Sequence, residues 1–263
     1  EIIHDFSYSK QWFPVTGGLD FSLVIQNEYL PLREQEEGQM VDNWGQSNHW
    51  RPSTAVGGSP GASDPAPPII PPILVNEVLT RPLPGQSAFI ELFNLHGPNA
   101  DISGWFLSDD FSAPKKFRIP DGTMLPLGGY LVFNESQFNA APGTSNSFAL
   151  RPTGGAVYLF SADPAGQLTG YSAGFRFGPS SAGVSFGRYL SVGAGEEYVA
   201  QTANSPGAPN GTPRIGSVVI SEIMYHPVDS GTTHRSDNTD DEFSELKNIT
   251  DGPANLFGPA GPW

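Results

Sequence analysis

ILVNEVL at residues 73–79 and AFIELFN at residues 88–94 are two apolar runs separated by TRPLPGQS. Both are rich in β-branched and aromatic side chains. Pro82, Pro84 and Gly85 between them bar a continuous helix, so the pair reads as two strands joined by a turn. The same signature recurs downstream at Trp105–Leu107, Lys116–Ile119, Tyr130–Phe133, Ala156–Phe160, Phe175–Phe177 and Val184–Tyr189. Pro120-Asp121-Gly122, Gly128-Gly129, Thr153-Gly154-Gly155 and Pro164-Ala165-Gly166 supply turns between them. About eight short strands fit an all-β, immunoglobulin-like β-sandwich, with a small barrel as the alternative. The segment 134–141 (NESQFNAA) is expected to make one or two helical turns at most.

Composition agrees. The 263 residues include 31 Gly and 26 Pro, well above average usage, and Gly costs ~1 and Pro ~3 kcal/mol inside a helix. With 38% hydrophobic and 11% aromatic residues the chain can still build cores. A formal net charge of −14 with only 13 Lys and Arg argues against nucleic acid as a partner, because phosphate neutralisation needs clustered cations. No apolar run reaches the ~18–20 residues of a membrane span. With no Cys, disulfides, thiol catalysis and Cys-ligated zinc are excluded. No charged-then-apolar leader opens the chain, so any secretion signal, on this reading, has been removed or lies outside the segment.

Internal similarity sets the domain organisation. Ser59-Pro60-Gly61-Ala62 recurs 146 positions later as Ser205-Pro206-Gly207-Ala208. Val75-Asn76-Glu77-Val78 recurs 145 positions later as Ile220-Ser221-Glu222-Ile223. Glu91-Leu92-Phe93-Asn94 recurs 154 positions later as Glu245-Leu246-Lys247-Asn248, which implies an insertion of about nine residues. The Asn/Ser-Glu marker follows Pro-rich spacers and opens a unit, and Ser-Pro-Gly-Ala closes one. The expected organisation is a closing part at 1–64, a linker at 65–72, a complete domain at 73–210, a linker at 211–215 and an opening part at 216–263.

The order Asn76-Glu77-Val78, Ala88 to Asn94 and Asp101-Ile102-Ser103-Gly104-Trp105-Phe106-Leu107-Ser108-Asp109 resembles the lamin tail domain family. The resemblance continues through Phe117 to Thr123, Leu127 to Val132 and Gly183 to Tyr189, and ends at Ser205 to Asn210. It implies an immunoglobulin-like sandwich without a catalytic centre, here in tandem. In the bacterial, non-lamin form it implies secreted or surface multi-domain proteins, some beside nuclease or kinase-like domains. There is no heptad rod and no Lys/Arg import cluster, so a nuclear intermediate filament is not supported.

Few residues suggest chemistry. The five His lack zinc-site spacing, and no Gly-x-Ser-x-Gly elbow occurs, so the chain is expected not to be an enzyme. Asp237, Asp240, Asp241 and Glu242 form the best calcium candidate, since Ca²⁺ takes clustered oxygen ligands. They lack the alternating order of a dedicated loop, and a solvated insertion is the plainer reading. Ser108-Asp109-Asp110 is weaker, and Glu34 to Glu37 reads as a solvated loop. Trp44 and Trp50 among Asn and Gln suit a sugar platform, but a core role for Trp50 in a final strand fits better. Trp105 reads as a core filler. Glu91 shares a face with Phe89 and Phe93 by period two. Two readings stand for it: a buried carboxylate fixing a strand crossing, or an outward one.

The expected function is a structural or adhesive module array, extracellular or at the cell surface, with protein partners and no nucleic acid. Those partners include copies of itself joined head-to-tail into fibres by strand complementation. A composite of the two partial ends would lack about fifty-five middle residues, which favours a piece of a longer chain. The alternative is a glycan- or Ca²⁺-dependent binding module appended to an enzyme elsewhere in the parent chain.

Overall fold

The computed structural model describes residues 6–193, 195–228, 241–258 and 261–262. The chain divides into two units, one running to Pro213 and one starting at Arg214. The first opens with β1 (Leu23–Ile25), β2 (Arg33–Glu36), β3 (Gln39–Asp42) and β4 (Trp50–Pro52). Then come β5 (Ile73–Leu79), β6 (Phe89–Asn94), β7 (Ala100–Asp101), β8 (Phe106–Ser108), β9 (Phe117–Arg118), β10 (Met124–Leu125) and β11 (Tyr130–Asn134). A single turn of helix, α1 (Glu135–Phe138), precedes β12 (Gly155–Ala162), β13 (Leu168–Phe177), β14 (Phe186–Ser191) and β15 (Gly195–Ala200).

Two antiparallel sheets face each other across one core. The five-stranded sheet runs β11-β6-β5-β14-β15 and the four-stranded sheet β13-β12-β8-β9. Alternation along β6 sends Ile90 and Leu92 inward, where they meet Leu107, Val157, Leu159, Phe175 and Phe177 from the facing layer. Each such side chain, fully buried, contributes about 1.5–3 kcal/mol. On β5 both Val75 and Val78 reach this core although they are three apart. A bulge between Val75 and Glu77 shifts the register and makes this possible. Trp105 is buried in the same core beside Tyr171, and the Tyr171 hydroxyl donates to the Ile73 carbonyl at 2.9 Å, tying the two layers together.

Local signals explain most elements. Asn134 and Gln137 form a reciprocal capping box on α1, whose buried Phe138 stacks on Phe148. Gly104 precedes Trp105 at φ +78, a backbone conformation that strains other residues. β13 is far longer than the apolar triplet 175–177 suggests, because Gly170, Ser172, Ala173 and Gly174 carry no apolar pattern. Gly174 lies against β12 so closely that a Cβ there would sit 2.2 Å from the Val157 carbonyl oxygen.

Part of the N-terminal segment, around Val15 and Phe21, packs on the outer face of the four-stranded sheet. Val15 and Phe21 join Phe106, Phe160, Ala162 and Leu168 in a second buried cluster. Glu34 to Glu36, read as loop, are paired strand instead: β2 and β3 form a hairpin turning at Glu37 and Gly38, both at positive φ. Trp50 is 7% exposed, stacked on Phe6 and edge-on to Trp44, so its ring is covered rather than offered as a platform.

In the second unit β16 (Val218–Met224) pairs antiparallel with β17 (Phe243–Asn248), followed by the short pair β18 (Phe257–Gly258) and β19 (Gly261–Pro262).

Candidate functional site

The bulge on β5 places Glu77 directly across from Glu91 on β6, on the side of the sheet away from the core. That side is not solvent: both carboxylates are fully buried. Like charges directly opposite in a sheet repel, and buried carboxylates need donors. The donors come from the end of the unit. Ser205-Pro206-Gly207-Ala208 forms a turn closed by the Ala208 N–H on the Ser205 carbonyl at 3.0 Å, with Gly207 at φ +81, as a type II turn requires. The Ser205 N–H donates to both oxygens of Glu77 at 3.1 and 3.2 Å, and its hydroxyl donates at 3.0 Å. Ser185 adds a hydroxyl donor to Glu77 at 2.5 Å.

Glu91 is held by the Gly207 N–H at 2.5 Å and by the Asn76 amide at 2.7 Å. Asn76, the extra residue of the bulge, also donates to the Asn210 side-chain carbonyl at 2.7 Å, and Asn210 donates to the Arg188 carbonyl at 2.8 Å. Burial pushes the Glu91 carboxyl up to about 7; Gly207 and Asn76 counter it, and the Glu77 charge adds to it. The cluster clamps the first strands of the domain to its last residues. It presents no exposed acid–base pair, and its chemistry is that of a latch. Of the two readings of Glu91, the buried carboxylate is the one the structure has.

Parts of this arrangement recur twice. On β16 and β17, Val218 pairs with Asn248, Ile220 with Leu246, Glu222 with Glu245 and Met224 with Phe243, with a bulge between Ile220 and Glu222. On β5 and β6, Ile73 pairs with Asn94, Val75 with Leu92, Glu77 with Glu91 and Leu79 with Phe89, with the bulge between Val75 and Glu77. Register and bulge coincide position for position under the 145- and 154-residue offsets. The bulge residue Ser221 donates to Glu245 Oε1 at 2.5 Å as Asn76 does to Glu91. Asn248 donates to the Gly252 carbonyl as Asn94 does to that of Pro98.

The closing half recurs at the other end. Ser59-Pro60-Gly61-Ala62 closes the same turn, with Ala62 N–H on the Ser59 carbonyl at 3.1 Å and Gly61 at φ +79. β1 and β4 pair Leu23 with Pro52 and Ile25 with Trp50. This is the β14–β15 register of Arg188 with Tyr198 and Leu190 with Glu196. Asp64 takes the position of Asn210. Burial raises its carboxyl, but hydrogen bonds from Arg51, Thr54 and Ser59 outweigh that and hold it at about 2.

Of the calcium candidates, Asp237 and Asp240 lie outside the described residues, while Asp241 and Glu242 are exposed just before β17. Among the described residues no three His, Asp or Glu gather as a metal site. Asp109 pairs with Lys116 at 2.5 Å and Asp110 caps Ser112, so both are engaged in their own loop. The latch residues Ser185, Ser205, Gly207 and Asn210 escaped sequence reasoning as site residues. Their signal was present: the Asn76-Glu77 and Ser205-Pro206-Gly207-Ala208 markers that frame residues 73–210 are the two sides of one contact.

Among the described residues no helix is long and apolar enough to cross a membrane. No curated protein and no solved structure matches the chain. A family model, Lamin Tail Domain, matches residues 68–172, from the spacer before β5 into β13. The chain therefore contains one lamin tail domain, a member of the immunoglobulin-like β-sandwich class, built on the sheets described above.

Proposed function

We propose that this chain is a non-catalytic structural and adhesive array of lamin-tail-type modules from a larger secreted or cell-surface protein. It holds one whole module and parts of two others. The observation that carries the reading is the recurrence of the β5–β6 register, bulge included, in β16–β17. A bulge at the same offset in two hairpins is a feature of one inherited unit. The polar residues drawn together in the first unit serve to close it, which is what a load-bearing or adhesive spacer requires. The acidic balance of −14 keeps such an array soluble and repels polyanions.

The test has two arms. Incubated with ester, phosphomonoester, phosphodiester and glycoside reporters, the chain should stay at background; turnover abolished by a single side-chain change would overturn the non-catalytic reading. Calorimetric titration with Ca²⁺ and a glycan panel should give no saturable heat. Saturable heat would make the chain a ligand-binding appendage instead.

A further inference from the structure

β13 ends the four-stranded sheet, so every second residue along it turns its N–H and C=O toward no strand among the described residues. At ten residues it is the longest strand described. Sheet edges are commonly blunted by Pro, Lys or an irregular register. From Ser172 to Phe177 the edge has neither Pro nor Lys, and its pairing on β12 is unbroken.

This edge is recessed. A groove of ≈630 Å³ runs along Ser172, Ala173, Gly174 and Arg176. Tyr171 and Tyr198, which pack on the main core, line one side of it. Phe111 and Tyr158, which pack on the second buried cluster, line the other. Those two interiors lie on opposite faces of the four-stranded sheet, so the groove straddles the sheet's edge with an aromatic wall on each face.

The polar groups narrow what can fill it. The Glu196 carboxylate takes Arg188 at 2.5 Å and the Tyr198 hydroxyl at 3.1 Å. The Tyr171 hydroxyl is engaged by the Ile73 carbonyl. Arg176 is the one cation of the lining, is exposed, and makes no ion pair among the described residues. It shares the outer face of β13 with Gly174, the cross-strand partner of Tyr158, two positions away.

We propose that this edge takes up an extended peptide of another protein as an added strand, whose apolar side chains alternate between the two aromatic walls and whose one carboxylate meets Arg176. An added strand supplies the backbone partners that the edge lacks, and its successive side chains point to opposite faces, where the walls stand. The carboxylate lies two positions from the residue set over Tyr158. A recessed edge admits a lone strand, whereas the edge of a second sandwich brings its facing layer with it. Two copies, each at −14, also repel one another. This inference goes beyond the module reading and does not depend on how many modules the chain holds.

The test uses the full chain and a fluorescein-labelled, valine-rich peptide of about eight residues, a usual strand length, with one central glutamate and serine-glycine tails. Fluorescence polarisation should saturate, and lysine in place of the glutamate should weaken binding about tenfold, a modest 1.4 kcal/mol. N-methylation of one set of alternate residues should abolish binding, and of the other set should leave it, because a strand bonds to an edge along one side only. Arg176→Glu should reverse the preference between glutamate and lysine. Arg81→Glu, the same charge change at an exposed site outside the groove, should leave it. No saturable signal, equal effects of the two methylation patterns, or a preference unmoved by Arg176→Glu would each overturn the proposal. So would self-association in sedimentation that the peptide does not reduce, which assigns the edge to a second copy. None of these outcomes bears on the turnover and titration arms, so the module reading stands or falls separately.

Discussion

Glu91 is where the latch is most sensitive to conditions. Its carboxyl sits near 7 in the folded chain against an ordinary 4.5, with burial as the main cause. The folded state thus holds a proton that the unfolded state has released between those values. The stability from this group is present in full below about pH 4.5 and is lost as pH rises to 7 and beyond. The swing is on the order of 3 kcal/mol at 1.36 per unit. Asp64 acts the other way, and its contribution, present above 3.8, is lost only as pH falls toward 2, so the two windows do not overlap. Urea unfolding followed from pH 4.5 to 8 should show stability falling across that range, and Glu91→Gln should flatten the fall. An unchanged slope in the variant would mean that Glu91 is not the group holding the proton. At the turn, Gly207 has φ +81, so Gly207→Ala should cost about 1–2 kcal/mol by the left-handed penalty alone, measured as a lowered denaturation midpoint.

Elements differ in how openly the sequence declares them. β5 and β6 are legible because apolar side chains alternate and Pro82 and Gly85 stop the chain between them. The bulge at Asn76 is not legible from one copy: an Asn-Glu pair inside an apolar run signals polarity, not an extra residue. Comparing it with Ser221-Glu222 marks the position as special without saying why. β13 hides because tight packing on β12 selects glycine and small residues, which read as turn. The β2–β3 hairpin hides because both its strands are largely exposed and carry no burial pattern. The latch hides for a different reason, since its two sides are 108 to 134 residues apart in sequence. If β16–β17 is the same element as β5–β6, residues 218–248 should replace residues 73–94 and still give a folded domain. Ser244 would then occupy the fully buried position of Ile90. Ser244→Ile in that chimera should therefore recover about 2–4 kcal/mol, the range for losing a buried Ile side chain. A chimera that stays unfolded by circular dichroism with Ile at 244 would refute the equivalence.

At the scale of the whole molecule, the first unit has two interiors, and they divide the four-stranded sheet between them. Its inner face meets β5 and β6, and its outer face is covered by Val15 and Phe21 from the N-terminal segment. Phe186, by contrast, packs inside the sandwich near Phe177, with ring centroids 5.9 Å apart. A sheet with apolar residues on both faces needs cover on both. Phe106, Phe160 and Leu168 would form an exposed apolar patch without the segment, and such patches drive association. The N-terminal segment is therefore part of the first unit's stability and not a passive tail. Phe21→Ala should lower that stability by about 3–5 kcal/mol, the range for a large aromatic removed from a core. Binding of a dye that reports exposed apolar surface should rise as the segment loosens. Tyr171→Phe, which removes the bond between the layers to Ile73, should cost only about 1 kcal/mol and leave dye binding unchanged. If Phe21→Ala behaves like Tyr171→Phe in both measurements, the outer face does not depend on the segment, and the second interior is a contact without a structural role.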